Sequence, residues 1–166
     1  MKKTSTKSVP AKELPLRHAL ATLAYRGGEA IKDAPPEFAG FCASASTRTP
    51  LEILAHIGDL FEWAVSLADG AHVWKPAKPA SWNQQVERFF ATLERFDQRL
   101  ASSKKLGCTP EKLFQGPIAD ALTHVGQLAM LRRMAGSPMR GENYFKAEIT
   151  AGNVGRAQAR PRVEFE

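Results

Sequence analysis

The chain has 166 residues, of which 43% are hydrophobic and 24% are charged, and its formal net charge is +6 at neutral pH. This size and composition predict one soluble globular domain with a real core, and no apolar run is long enough to cross a membrane. The basic start lacks the apolar stretch of a signal peptide, so we expect a cytoplasmic protein. Cys42 and Cys108 have no metal-type spacing and predict two free thiols.

Basic residues concentrate in the first dozen positions and again between Arg132 and Arg162, while the middle of the chain is nearly balanced. The sequence has no zinc-finger spacing, no RNA-binding aromatic motif and no glycine-rich phosphate loop. We therefore expect solvated basic ends and no nucleic-acid partner.

The first third of the chain predicts a tail, a helix and a loop. Residues 1–10 are polar and basic and end in proline, which predicts a flexible tail. Helical periodicity runs from residue 11 to about residue 31, with Pro15 in the first turn and Gly27-Gly28 weakening the end. Residues 33–50 are rich in proline, glycine, serine and threonine and predict a loop.

The second helix has a clear start signal. Thr49 can cap it, Pro50 takes the first helical position and Glu52 takes the third, as in a capping box. We expect this helix to reach about residue 67, and His56 falls within its apolar face.

The third helix follows a proline-rich loop over residues 69–80. Ser81 is expected to cap it, and a regular apolar stripe continues to about residue 100. Several charged side chains of the second and third helices are predicted to lie away from the apolar faces: Asp59, Glu62, Arg88 and Arg99. The tryptophans could line a cavity or simply pack: Trp63, Trp74 and Trp82.

The fourth long helix, over residues 116–136, organises the rest of the chain. Pro117 stands near its start, Arg132 and Arg133 lie near its last carbonyls, and Gly136 follows. Between residues 121 and 131 no side chain is charged unless the histidine is protonated, and apolar residues lie all round. We therefore predict a central helix that is buried on every side.

Three polar side chains interrupt that apolar helix. Asp120, His124 and Gln127 are spaced i, i+4 and i+7, so they project from one face. A buried aspartate is costly unless it is paired, hydrogen-bonded or bound to a cation. The stripe therefore predicts that its polar groups are paired, hydrogen-bonded or bound to a cation.

The remainder of the chain after Gly136 shows little periodicity, and we expect an irregular tail anchored by Tyr144, Phe145 and Ile149. Four long helices without a convincing strand predict an all-α four-helix bundle over residues 11–136. Residues 137–166 would form a C-terminal extension packed on that bundle.

His56 on the second helix and the run Asp120-Ala-Leu-Thr-His124-Val-Gly-Gln127 on the fourth resemble the DinB/YfiT-like superfamily of four-helix bundles. Members of that superfamily typically place one metal-binding histidine on the second helix and two on the fourth. The pair on the fourth helix has the form H-x-x-x-H and is followed shortly by Gly-Gln. The resemblance covers roughly residues 16–136, and Asp120 stands where the first histidine of the pair would be.

By this resemblance, His56, Asp120 and His124 are the expected metal ligands. Two imidazoles and a carboxylate suit divalent iron, nickel, zinc or manganese and leave open positions for water or substrate. Gln127 could bind a metal-bound water or a substrate carbonyl. Glu52 lies a turn before His56 and could contact a metal-ligating side chain and orient it. The alternative is a polar plug without metal, in which Asp120 and His124 bond to each other or to His56.

The resemblance implies two kinds of function. The first is metal-dependent thiol transfer, or a related hydrolase or isomerase activity, with a low-molecular-weight thiol or another small molecule as partner. Arg132 or Arg133 would attract an anionic substrate or else cap the end of the helix. The second is a non-catalytic, stress-associated bundle that holds a small ligand or dimerises through its basic tail. Dimers are common in the superfamily, so a homodimer is expected.

Overall fold

The computed structural model describes residues 14–165, and helices dominate this part of the chain. The elements are α1 (Leu14–Ile31), α2 (Pro50–Ala68), α3 (Trp82–Ala101), the single turn α4 (Pro110–Leu113) and α5 (Ala119–Met134). The predicted all-α four-helix bundle is confirmed by the four long helices. The predictions for residues 1–10 and for a helix start at residue 11 concern positions outside the described range. Within that range, no helix is long and apolar enough to cross a membrane.

The four long helices form a ring of contacts. α2 packs against α3 and α5, and α1 packs against the same two helices. α1 and α2, although consecutive in the chain, therefore lie diagonally across the bundle. Their connection contains a 3-10 turn, Pro36–Gly40, whose Phe38 is fully buried. Side chains from all four long helices meet in one core cluster, which includes Leu20, Leu23, Phe61, Phe89, Phe96 and Leu128.

The predicted caps start α2 and α3. The hydroxyl of Thr49 accepts the backbone N–H of Glu52 at 3.3 Å, and the N–H of Thr49 donates to the Glu52 carboxylate at 2.8 Å. Ser81 and Gln84 make the same reciprocal pair at the start of α3. These bonds satisfy backbone donors that have no partner inside the first helical turn.

α1 continues through its two glycines to Ile31 instead of weakening at them. A Cβ atom at Gly27 would lie 2.6 Å from the ring of the buried Phe89 of α3. The glycine therefore lets a large aromatic side chain pack directly on the α1 backbone, and this tertiary contact outweighs the low helix propensity of glycine.

The approach to α5 differs from the prediction. Thr109 caps α4, and the chain then passes through a π-helical stretch, Phe114–Ile118, before α5 begins at Ala119. Pro117 thus lies inside a helical run and not at its first position. The wider π-helical turn tolerates the missing N–H and the bulk of the proline ring, which a regular α-helix does not.

The prediction that the fourth long helix is buried on every side is wrong. Met130 is 62% exposed, and Thr123, Gly126 and Gln127 are also exposed. In a four-helix bundle each helix turns one face away from its neighbours. The outer face of α5 carries uncharged residues, so the sequence pattern did not mark it as solvent-facing.

Three of the charged side chains predicted to lie away from the apolar faces are instead largely covered: Asp59, Arg88 and Arg99. Asp59 has 5% of its side chain exposed and accepts a hydrogen bond from Arg88 at 2.7 Å. Arg88 also donates to the carbonyl of Ala55, and a Cβ at Gly58 would lie 2.9 Å from its guanidinium. Arg99 is likewise largely covered. Mutual pairing, together with the space that Gly58 leaves, lets these charges lie inside.

The tail contains a short antiparallel pair of strands, β1 (Gly141–Glu142) with β2 (Glu164–Phe165), and a 3-10 turn, Tyr144–Lys146. The sequence predicted no strand, because two-residue strands are too short to show a period of two.

The tail contacts the bundle through one of the predicted anchors, Tyr144, and through residues that were not predicted. The Glu142 carboxylate accepts a 2.7 Å hydrogen bond from the buried Tyr25 of α1, and Val154 is 4% exposed within the core cluster. Tyr144 packs edge-on against Tyr25. Phe145 is not an anchor, because it is 96% exposed.

Candidate metal centre

Three of the predicted side chains converge where α2 packs against α5. Nε2 of His124 lies 3.4 Å from Oδ1 of Asp120, and Nε2 of His56 lies 3.7 Å from Oδ2 of the same carboxylate. One possible ligand atom from each residue lies within 4.8 Å of the other two. The i, i+4 spacing on α5 places Asp120 and His124 together, and the packing of the two helices adds His56.

The three side chains lie at the rim of the bundle and not in its centre. The exposed fraction is 11% for His124, 20% for His56 and 47% for Asp120. The imidazoles are thus held by the protein, while the carboxylate faces water. The aspartate is not the buried charge that the sequence suggested, and the solvent side of the cluster is accessible.

Gln127 fixes the ring of His124. Its Oε1 lies 2.8 Å from Nδ1 of that histidine. An amide oxygen only accepts, so Nδ1 of His124 is the donor in this contact, and the ring is oriented with Nε2 toward Asp120. The observed partner of Gln127 is therefore a histidine, and a contact with a bound water or a substrate stays a prediction.

His56 is held in its neutral form by its surroundings. Burial is the main cause that lowers its pKa, and the nearby His124 and Arg48 act in the same direction. Asp120 raises the pKa of His56, with a smaller effect. The two imidazole rings lie edge to face with centroids 4.8 Å apart. A neutral imidazole offers a nitrogen electron pair, which is the form that binds a metal.

The loop after α2 covers one side of His56, which the sequence did not predict. The Trp74 ring packs edge-on against His56 with centroids 5.8 Å apart, and it also contacts Trp63. The loop is tied down where the N–H of Ala77 donates to the Asp59 carboxylate at 3.1 Å. The Asp59–Arg88 ion pair between the helices thereby supports the loop next to the site. The only sequence feature that could have indicated this arrangement is that Asp59 lies close to His56 in the chain.

The donor set and its spacing fit a divalent transition metal. In a tetrahedral site with ligands about 2.1 Å from the ion, neighbouring ligand atoms are about 3.4 Å apart. Nε2 of His124 lies at that spacing from Oδ1, and Nε2 of His56 lies 3.7 Å from the other oxygen, Oδ2. With one ligand atom from each residue the set spans up to 4.8 Å, so the side chains would have to move closer together around an ion. Two neutral imidazoles with one carboxylate suit iron, nickel, zinc or manganese.

Glu52 has a structural role in this protein. Its carboxylate accepts hydrogen bonds from both the N–H and the hydroxyl of Thr49, which caps α2. These bonds lower the pKa of Glu52. Support for the site from Glu52 stays a prediction that these contacts do not test.

Arg132 is not positioned to attract a substrate. It is 6% exposed and donates to the backbone carbonyls of Ala30, Lys32 and Ser137. It therefore joins the end of α1 to the end of α5, which is the capping alternative. Arg133 is exposed and donates to the carbonyl of Ala129 in its own helix.

The other histidines and the cysteines lie outside the cluster. His18 is exposed on α1, and His72 packs against Trp63 in the loop after α2. Cys42 and Cys108 are both free thiols, as predicted.

A cleft of about 490 Å³ opens directly beside His124 and Gln127. Its other walls come from α2, from the end of α5 and from the loop before α2: Ala43, Thr47, Arg48, Ile53, Met130, Leu131 and Met134. A separate depression of about 460 Å³ lies between α1, α3 and the tail and contains none of the three clustered side chains. The cleft therefore adjoins the cluster through His124, the one member of the three that lines it.

Comparison with known proteins gives no relationship from which a function can be transferred. The chain matches no protein-family model, no curated protein and no solved structure.

Proposed function

We propose that this protein is a divergent DinB/YfiT-like metalloprotein that binds a divalent transition metal through His56, Asp120 and His124. The observation that carries the proposal is the convergence of two histidine Nε2 atoms on one carboxylate, 3.4 Å from Oδ1 and 3.7 Å from Oδ2, with one ligand atom of each residue within 4.8 Å of the others. The contact of Gln127 with Nδ1 of His124, which leaves Nε2 facing Asp120, and the lowered pKa of His56 support it.

The activity we propose for the site is transfer of a low-molecular-weight thiol to a small molecule in the cleft. A bound divalent metal supplies Lewis acidity, which lowers the pKa of a thiol or water beside it. The chain itself holds the two imidazoles in fixed orientations, leaves the solvent side of Asp120 open and places an apolar cleft alongside His124. Related hydrolase or isomerase chemistry would use the same groups.

Elemental analysis of the purified, tag-free protein tests the proposal. After incubation with nickel, zinc, iron or manganese and removal of free ions, we expect near-stoichiometric metal in the parent and none in His56→Ala. His18→Ala is the matched control, because His18 is an exposed histidine of α1, and it should retain the metal. If the parent takes up no metal and its melting temperature does not change, the proposal is wrong.

That negative result would favour a second candidate, a small-ligand-binding bundle without metal. The specific observation in its favour is that Asp120 already lies within ion-pair distance of both histidines. The three side chains would then form a polar cluster that needs no ion, and the cleft beside them would hold the ligand.

Gln127→Ala should weaken metal binding by about 10–100-fold, because groups that orient a ligating histidine have effects of that size. The variant loses the 2.8 Å contact that orients the ring of His124 with Nε2 toward Asp120. Competition with a chelating indicator measures the affinity. Thr123→Ala is the control, since Thr123 is an exposed neighbour on α5 that bonds only within its helix. Equal affinities in the two variants would contradict the role of Gln127.

A further inference from the structure

The cleft beside His124 has the size and the lining of a site for a small organic molecule. Its volume of about 490 Å³ lies within the usual range of small-molecule sites, about 300–1,000 Å³. Met130 and Met134 stand on one wall with 62% and 50% of their surface exposed. Large apolar side chains left this open in a concave surface indicate an apolar ligand, and methionine adapts to ligands of different shape.

Arg48 gives the cleft a single charge. Among the described residues that line it, no other carries a full charge apart from a protonated His124, and no carboxylate is present. Within the part of the chain that the structure describes, Arg48 makes no ion pair or side-chain hydrogen bond. The nearby Glu52 is hydrogen-bonded to Thr49, which is the main cause of its lowered pKa, and the charge of Arg48 lowers that pKa further. An exposed guanidinium that has a carboxylate nearby but no hydrogen bond to it, at the edge of an apolar wall, can still take an anionic group of a ligand.

We propose that the cleft binds an amphipathic organic anion, with its apolar body against Ile53, Met130 and Met134 and its carboxylate or sulfonate at Arg48. This inference deepens the proposed function. It rests on that function only where it identifies the ligand as the substrate beside the metal centre. The binding itself depends on the cleft alone. Because the cleft has a single cation, Arg48, and a volume of about 490 Å³, we expect one small molecule to occupy it.

Titration calorimetry with octanoate and 1-octanol tests the inference, because the two probes share a chain length and differ in charge. We expect the full-length protein to bind octanoate more tightly than octanol. Arg48→Gln should remove that preference by weakening octanoate about fivefold, the upper effect of an exposed ion pair. Arg133→Gln is the matched control, an exposed arginine near the end of α5 outside the cleft, and it should bind both probes as the parent does.

The apolar wall has its own test. The double variant Met130→Ser with Met134→Ser should weaken both probes alike, by about tenfold, because it removes apolar contact area without changing the charge. If neither probe binds the parent, or if Arg48→Gln keeps the full preference for octanoate, the inference is wrong. A parent that light scattering shows to be dimeric, and that binds octanoate only when diluted to monomer, would assign the cleft to a second copy and also overturn it.

Titrations before and after treatment with a chelator separate this inference from the proposed function. If octanoate preference persists in Arg48→Gln and disappears on metal removal, the carboxylate binds at the metal, and the inference fails while the metal centre stands. If the protein binds no metal but octanoate binding still depends on Arg48, the cleft assignment stands and the proposed enzyme activity fails.

Discussion

Arg88→Met will lower the free energy of unfolding by about 3–5 kcal/mol, because it leaves the charge of Asp59 buried without its partner. Asp59 is 5% exposed, and Arg88 contacts it at 2.7 Å. For a chain of this size, the melting temperature should fall by roughly 10 °C. Thermal unfolding followed by circular dichroism measures the change.

The control for this prediction is Arg95→Met on the same helix. Arg95 also pairs with a carboxylate of α2, that of Glu62 at 3.0 Å, but it is 59% exposed. An exposed pair of this kind contributes only about 0.2–1 kcal/mol. A loss in Arg88→Met no larger than that in Arg95→Met would show that Asp59 does not depend on its partner.

A double variant separates the effect of the unpaired charge on stability from the effect of packing. Asp59→Leu combined with Arg88→Met removes both charges and keeps apolar volume, so it should regain most of the lost stability. It also removes the carboxylate that accepts the hydrogen bond from Ala77, which Arg88→Met alone keeps, so the loop over His56 loses this contact only in the double variant. We therefore expect stability to recover while the tryptophan fluorescence of the double variant, to which Trp74 beside His56 contributes, shifts further toward that of exposed indole.

The second large effect concerns Asp120, the carboxylate between the two histidines. Asp120→Asn should weaken metal binding by more than about 100-fold, since even groups that only orient a ligand cost 10–100-fold. Asp120→His should keep the metal, because an imidazole one turn before His124 supplies a nitrogen ligand in the same place. Elemental analysis and chelator competition on both variants measure the difference.

Folding is not expected to interfere with this comparison. The Asp120 side chain is 47% exposed, and replacing it should change the stability of the metal-free protein by no more than about 0.5 kcal/mol. Melting temperatures recorded with a chelator present check this. If Asp120→Asn and the parent bind metal equally, the carboxylate is not a ligand and the site has another composition.

The sequence by itself determined the helices and the order in which they follow one another. Helix starts such as those at Thr49 and Ser81 depend on side chains within one turn, and the apolar stripes depend on the local period of 3.6 residues. The same local rule placed Asp120, His124 and Gln127 on one face of α5. These features need no information from elsewhere in the chain, so the pattern was sufficient to predict them.

Only the tertiary structure decided which faces became buried and which side chains met. The approach of His56 to Asp120 depends on α2 packing against α5, and the covered Arg88 depends on the space at Gly58 of a neighbouring helix. Between Asp120 and Arg133 the exposed outer face of α5 carries no charge, so composition could not distinguish it from core. Contacts between residues far apart in the chain arise from packing, and no local period in the sequence records that geometry. The candidate metal centre and the cleft beside His124 are built from such contacts.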